Sequence, residues 1–101
     1  MGSRLELQTF LEGILESKAV YFQPPSTIEM EYPCIVYQRS YLRSTFADNL
    51  LYSLNVQYTV TVIDFNPDSL IPGKIILLPK CSFDRHMVVD NLYHDVFTLF
   101  F

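Results

Sequence analysis

The stretch that decides the fold is Tyr58-Thr59-Val60-Thr61-Val62-Ile63-Asp64-Phe65-Asn66-Pro67-Asp68-Ser69. Tyr58, Val60, Val62 and Asp64 alternate with Thr59, Thr61 and Ile63, and β-branched residues fill nearly every place, which predicts a strand. Asn66-Pro67-Asp68-Ser69 then supplies turn and helix-cap chemistry. No glycine-rich phosphate loop stands at the junction. The connection therefore reads as packing between a strand and a helix, with no nucleotide site.

Working outward, the pattern predicts a second helix over 69–78, capped by Asp68 or Ser69, with Pro72 in its first turn, where a missing N–H does little harm. Pro79 ends it. Residues 82–88 and 92–101 read as two strands joined by a turn near Val89-Asp90-Asn91. Toward the N-terminus, residues 4–18 read as a helix. Ser3 and Glu6 have capping-box spacing, and Leu7, Phe10, Leu11 and Ile14 share one face, with Leu15 flanking it. Val20 to Gln23 is a short extended piece stopped by Pro24-Pro25, and 33–38 is a strand opening on a proline. Residues 39–55 carry the weakest pattern and predict a long β-hairpin with a mobile tip at 41–52.

The expected order is thus α-β-β-β-α-β-β in a single α+β domain over 1–101. The expected architecture is a mainly antiparallel sheet of about four strands, with two helices packed together on one face. It is compatible with a ferredoxin-like variant.

The 101 residues are half hydrophobic, with seven Tyr and eight Phe. That suffices for a core without metal or disulfide staples, and the surplus points to a subunit interface. The net charge is −4, and the seven basic residues are scattered. This disfavours nucleic-acid binding as the main activity. Cys34 and Cys81 show no zinc or CxxC spacing and read as reduced core residues. No signal-peptide pattern or membrane-length apolar run is apparent, so synthesis in a reducing cytosol is expected.

Candidate chemistry concentrates in Asp84-Arg85-His86, Asp90-Asn91 and His94-Asp95. Two histidines and three carboxylates across a hairpin are types that divalent ions accept, and His86, Asp90 and His94 would be the ligands of a metal-dependent hydrolase. The preferred reading is structural: these groups tie a turn and rim a subunit contact. Alternation would put Asp84 and His86 on one face and Arg85 on the other. Cys34 with His86 or His94 is the one conceivable cysteine–histidine pair, but a buried strand cysteine is inert. Glu29 and Glu31 share one strand face as solvated charges. Tyr37, Tyr41, Tyr52 and Tyr58 would stack bases only beside basic residues, which are missing, so core and interface packing is preferred. No cofactor, metal ligand or catalytic residue is assigned.

The segments Tyr21–Tyr37 (YFQPPSTIEMEYPCIVY), Phe46–Asn49 (FADN), Tyr58–Asp64, Asn66–Ser69, Leu78–His86 (LPKCSFDRH) and Asp90–Phe97 (DNLYHDVF) together resemble the small tail-completion proteins of long-tailed bacteriophages and prophages. These include tail-terminator and tail-to-head joining subunits. The resemblance implies a non-enzymatic structural subunit with a small α+β fold. Such a subunit forms a ring, usually hexameric, at the head-proximal end of the tail tube. Its partners would be itself, the tail-tube protein and the head connector; its place would be the virion tail, after synthesis in the bacterial host cytoplasm. A neighbouring connector component or a small adaptor domain is the alternative. In such a ring, the acidic excess suits a lumen through which DNA passes without sticking. The expected interface residues are Tyr41, Leu42, Phe46, Leu50, Leu51 and Tyr52 on the long hairpin, then Asp84, Arg85, Asp90 and Asn91.

Overall fold

The computed structural model describes residues 4–25, 29–47, 50–78 and 80–101, and over 41–55 it describes backbone pairing alone. The elements in chain order are α1 (Arg4–Leu15), β1 (Val20–Phe22), β2 (Cys34–Ala47), β3 (Leu50–Asp64), α2 (Ile71–Ile75), β4 (Cys81–Val89) and β5 (Leu92–Phe100). The fold is α+β, as the alternation of patterns predicts. The sheet has five strands in the order β1-β2-β3-β5-β4. The fifth is the short Val20 piece, which pairs parallel with β2; every other pairing is antiparallel. Because β3 and β4 each run antiparallel to β5, they run parallel to one another. They are joined through α2 around the inserted β5.

One sheet face carries most of the core. Val20 and Phe22 stand beside Ile35 and Tyr37, which face Val62 and Val60; Val60 in turn faces Phe97. Leu7, Leu11 and Leu15 of α1 are buried in the same cluster, as is Ile75 of α2. Burying each of these leucines contributes about 2 kcal/mol as an upper bound. The opposite face carries half-buried Thr59, Thr61 and Thr98 together with buried Cys34, Ile63 and Val96.

Helix α1 stops at Leu15, three residues before the expected end. Glu16 adopts φ 58°, and the Ser17 N–H donates to the Glu12 carbonyl at 3.3 Å. This is the six-to-one bond of a Schellman ending, with a glutamate where glycine is usual. Ser3, the expected cap, lies outside the described residues. Phe10 departs from the expected buried face and is 55% exposed. At 100° per residue the buried stripe is centred on Leu7, Leu11 and Leu15, and Phe10 falls on its margin.

Helix α2 is shorter than predicted, five residues, and its N-cap is Leu70 with no side-chain cap, in place of Asp68 or Ser69. The polar residues are used one step earlier. The Asn66 N–H donates to Asp64 Oδ1 at 3.0 Å, Asp68 N–H to Asn66 Oδ1 at 3.0 Å, and Ile71 N–H to Ser69 Oγ at 3.3 Å. They form a chain of local turns that competes with helix. Past Ile75, three-residue bonds from Leu77 to Lys74 and from Leu78 to Ile75 tighten the chain out of the helix.

The β2–β3 hairpin sets the shape. Fifteen residues of β3 span about 50 Å at about 3.4 Å each, and the molecule measures 51 × 27 × 23 Å. Its radius of gyration is 14.7 Å, against about 13 Å for a compact chain of this length.

Candidate interaction surface

The β2–β3 ribbon outruns the sheet. β1 accompanies β2 only from Ile35 to Tyr37, and β5 accompanies β3 only from Gln57 to Asp64. Beyond the Tyr41–Gln57 rung the pairing continues as Leu42–Val56, Arg43–Asn55, Ser44–Leu54 and Thr45–Ser53, then Phe46–Leu51 and Ala47–Leu50. Among the described residues no third strand joins these rungs. A two-stranded ribbon leaves both edges open and is marginal alone in water.

Two irregularities shape it. Ser40 is skipped between the Arg39–Tyr58 and Tyr41–Gln57 pairs, and its hydroxyl donates to the Gln57 carbonyl at 3.2 Å. A bulge bends the strand and increases its twist, so this one sits at the ribbon's root and re-aims it. A second falls between Thr45 and Phe46. The side chains of Tyr41, Leu42, Phe46, Leu50, Leu51 and Tyr52 lie outside the described residues, as do Asp48 and Asn49 within the expected tip.

An apolar cleft opens beside the root. Phe10, Leu78, Lys80, Leu99, Phe100 and Phe101 line ≈ 260 Å³. The Phe101 N–H donates to the carbonyl of Val56 at 3.1 Å, fixing this end of the chain against the base of the ribbon. Phe10 and Phe101 meet edge to face at 5.9 Å. Phe10 also borders a shallow depression along α1, lined by Glu6, Thr9, Gly13 and Ile14. The sequence reading missed this cleft because it assigned Phe10 to the core. Its marginal position on the helical wheel was the available signal.

The β4–β5 hairpin carries the other expected residues. Asp84, Arg85, Asp90 and Asn91 are all exposed. Asp90 and Asn91 have φ 52° and 64° between the paired residues Val89 and Leu92. They make the two-residue turn that favours Asp and Asn at positive φ. Asp84 and Arg85 form a neighbouring ion pair at 3.0 Å with both side chains exposed.

The expected alternation fails at Asp84. Phe83 pairs with Phe97 but Arg85 pairs with Val96, so Asp84 is the extra residue of a bulge. The face of β4 that carries Phe83 continues with His86. His86 Nδ1 lies 2.7 Å from Asp95 Oδ1, and its ring stacks on Tyr93 at 6.0 Å. His94 stands on the opposite face, beside Met87 and Ile63, where its Nδ1–H donates to the Leu92 carbonyl at 3.1 Å. The hairpin thus separates His86 from His94, and among the described residues no group of three or more His, Cys, Asp or Glu side chains is placed to hold a metal.

Cys34 and His94 do share a face, flanking Ile63. Two strand spacings put their backbones about 10 Å apart, Ile63 stands between them, and His94 Nδ1 is engaged by the Leu92 carbonyl, not by Cys34. Burial, helped by the charge of Asp64, pushes the Cys34 thiol up to about 11. Burial also raises Cys81, and neither cysteine forms a disulfide. Glu29 and Glu31 lie in the β1–β2 connection, outside any strand, and both are exposed. The expected strand does not form there: Pro24-Pro25 and Pro33 bracket the segment.

Tyr37 and Tyr58 are buried in the core, 6.0 Å apart. Neither offers a ring for stacking on a ligand. The Tyr37 hydroxyl donates to Gln8 Oε1 and accepts from Arg4 Nη1 at 3.2 Å. Gln8 Nε2 also reaches the Val20 carbonyl at 3.0 Å, so one polar knot ties α1 to β1 and β2. Arg4 lies over the Phe22 ring at 4.6 Å.

No family model matches the chain, and no curated protein matches its sequence. No helix among the described residues is long and apolar enough to cross a membrane.

Proposed function

We propose that this chain is a non-enzymatic assembly subunit whose working surface is the β2–β3 ribbon. The observation that carries the reading is the run of rungs from Leu42–Val56 to Ala47–Leu50, which no third strand joins among the described residues. A ribbon of this length gains stability when another chain covers it, and its open edges offer backbone groups for pairing. The aromatic-rich composition supports the same reading, since aromatic residues are favoured at protein contacts.

The separation of His86 from His94, and the burial of Cys34, weigh against a hydrolytic site at these residues. Within assembly subunits, the resemblance of Tyr21–Tyr37, Leu78–His86 and Asp90–Phe97 to phage tail-completion proteins favours a tail-terminator role in a virion tail. The partners would then be further copies, the tail-tube protein and the head connector.

Electron microscopy of tail tubes polymerised with and without the purified chain tests this role. The expected result is tubes of limited length bearing a ring at one end. Unlimited elongation beside unassociated protein would count against it.

A further inference from the structure

We propose that the outer edge of β4 pairs antiparallel with β4 of a second copy of this chain, continuing one sheet into the next. The inference goes beyond the assembly reading: it concerns a different surface from the ribbon and stands apart from it. β4 is nine residues long and ends the sheet order β1-β2-β3-β5-β4, so among the described residues no strand bonds its outer side. The other edge is β1, only three residues long. Phe83, Val88 and Val89 of β4 are exposed. A long edge bearing apolar side chains is a template for another strand.

The phase of the ladder fixes which backbone groups are free. The Phe100 N–H donates to the Lys80 carbonyl at 3.2 Å, and the Phe101 N–H to the Val56 carbonyl at 3.1 Å. Bonding direction alternates along an antiparallel strand, so even-numbered residues of β5 bond β4 and odd-numbered ones bond β3. Past the bulge, Val96, His94 and Leu92 therefore hold Arg85, Met87 and Val89. His86 and Val88 turn their N–H and C=O groups outward. A bulge and charged side chains guard an edge against pairing; here they stand at Asp84 and Arg85, and Met87 to Val89 carry neither.

The strand is its own complement. With a two-fold axis at Met87, His86 of each copy stands opposite the partner's Val88, and both residues present a free N–H and C=O. Each such pair exchanges two bonds. Arg85 stands opposite the partner's Val89 and next to the partner's Asp90. It bonds Asp84 through Nη1 alone, which leaves donors for that second carboxylate, and the contact forms twice. A foreign strand would find the same backbone groups without the Arg85–Asp90 contacts. An axis at His86 would set the two His86 rings against each other. An axis at Val88 would push His86 onto the partner's turn, where Asp90 has φ 52°. Because both copies offer the same strand, the contact closes at two. Arg85 to Val89 are far fewer than the roughly 20 residues a side of a stable interface. The pairing therefore forms only at high concentration, or where another contact already holds two copies close.

Hydrogen exchange read residue by residue by NMR, on the full chain over a concentration series, tests the pairing. In dilute protein the His86 and Val88 amides should exchange fast and the Met87 amide slowly. At high concentration His86 and Val88 should slow at least tenfold, while Met87, already bonded to His94, changes little. Val88→Pro removes an outward N–H and no bond to β5, a place where an edge strand accepts proline. It should abolish the slowing at His86. Arg85→Glu, at an exposed position, sets like charges against the partner's Asp90 and should reduce the slowing at least threefold. Circular dichroism should show that both variants keep the fold. If His86 and Val88 stay fast at every concentration, the edge pairing is overturned, and the assembly reading stands where protection over 43–54 still rises. Slowing at His86 that survives both variants overturns the pairing as well. Slowing that appears only when tail tubes are added overturns the second copy as the occupant.

Discussion

Phe100 stands opposite Gln57 at the last rung that β5 shares with β3. On one side of that rung the sheet is several strands wide; on the other, the described pairing is two strands wide. Local stability follows the number of strands and the packing that hold each amide. Hydrogen exchange on dilute protein should therefore show fast exchange over 43–54 and slow exchange over 58–63. At concentrations where copies associate, protection over 43–54 should rise. Equal protection of both segments in the dilute monomer would mean that the ribbon is covered by its own chain.

Tyr37→Phe removes one oxygen from the knot that joins α1 to the sheet. Gln8 loses a donor and Arg4 an acceptor, while the ring contacts with Phe22 and Tyr58 remain. The expected loss is about 1–2 kcal/mol, read by urea denaturation with an unchanged slope. No loss would show that water replaces the hydroxyl without penalty.

Glu16→Gly should stabilise the protein. Glu16 is exposed and holds φ 58° at the end of α1, a conformation that is costly for a residue with a side chain and natural to glycine. A gain of about 0.5–1 kcal/mol is expected, or roughly 4 °C in Tm for a domain of this size. A lower Tm would show that the glutamate side chain contributes more than its backbone conformation costs.

The Cys34 thiol gives the stability curve an alkaline limb. Its pKa in the folded chain is about 11, raised from the ordinary 9.0 by burial and by Asp64. Below pH 9 both folded and unfolded chains keep the proton, and the contribution is fully present. Between pH 9 and 11 the unfolded chain releases it first, so stability falls as pH rises. Denaturation at pH 8 and pH 10.5 should show that decline, and it should be shallower in Cys34→Ala. The thiol should also react with alkylating agents more slowly than a free cysteine at pH 8. Fast labelling of Cys34 in the folded protein would refute its burial.

Much of the fold is legible in local chemistry. Tyr58 to Asp64 alternates and forms the C-terminal half of β3, Asp90-Asn91 makes its turn, and Leu7, Leu11 and Leu15 seat α1. What escaped depends on tertiary pairing. The bulge at Asp84 appears only when β4 is laid against β5, and it alone decides which face His86 joins. The short extended piece at Val20 is expected, but its place as a fifth strand, parallel to β2, comes only from its pairing with Ile35 to Tyr37. The cleft at Phe10 needs residue 101 to arrive beside residue 10. The polar residues before α2 were recognised as helix-start signals, but nothing local says that each would bind its nearest backbone N–H instead of capping a longer helix.

The most direct test of the ribbon's role is to shorten it. Replacing residues 43–55 with Asn-Gly retains the rungs up to Leu42–Val56 and closes them with a favoured two-residue turn. Sedimentation velocity should find the shortened protein folded and monomeric at concentrations where the wild type forms larger species. Association of equal extent in both proteins would contradict the account.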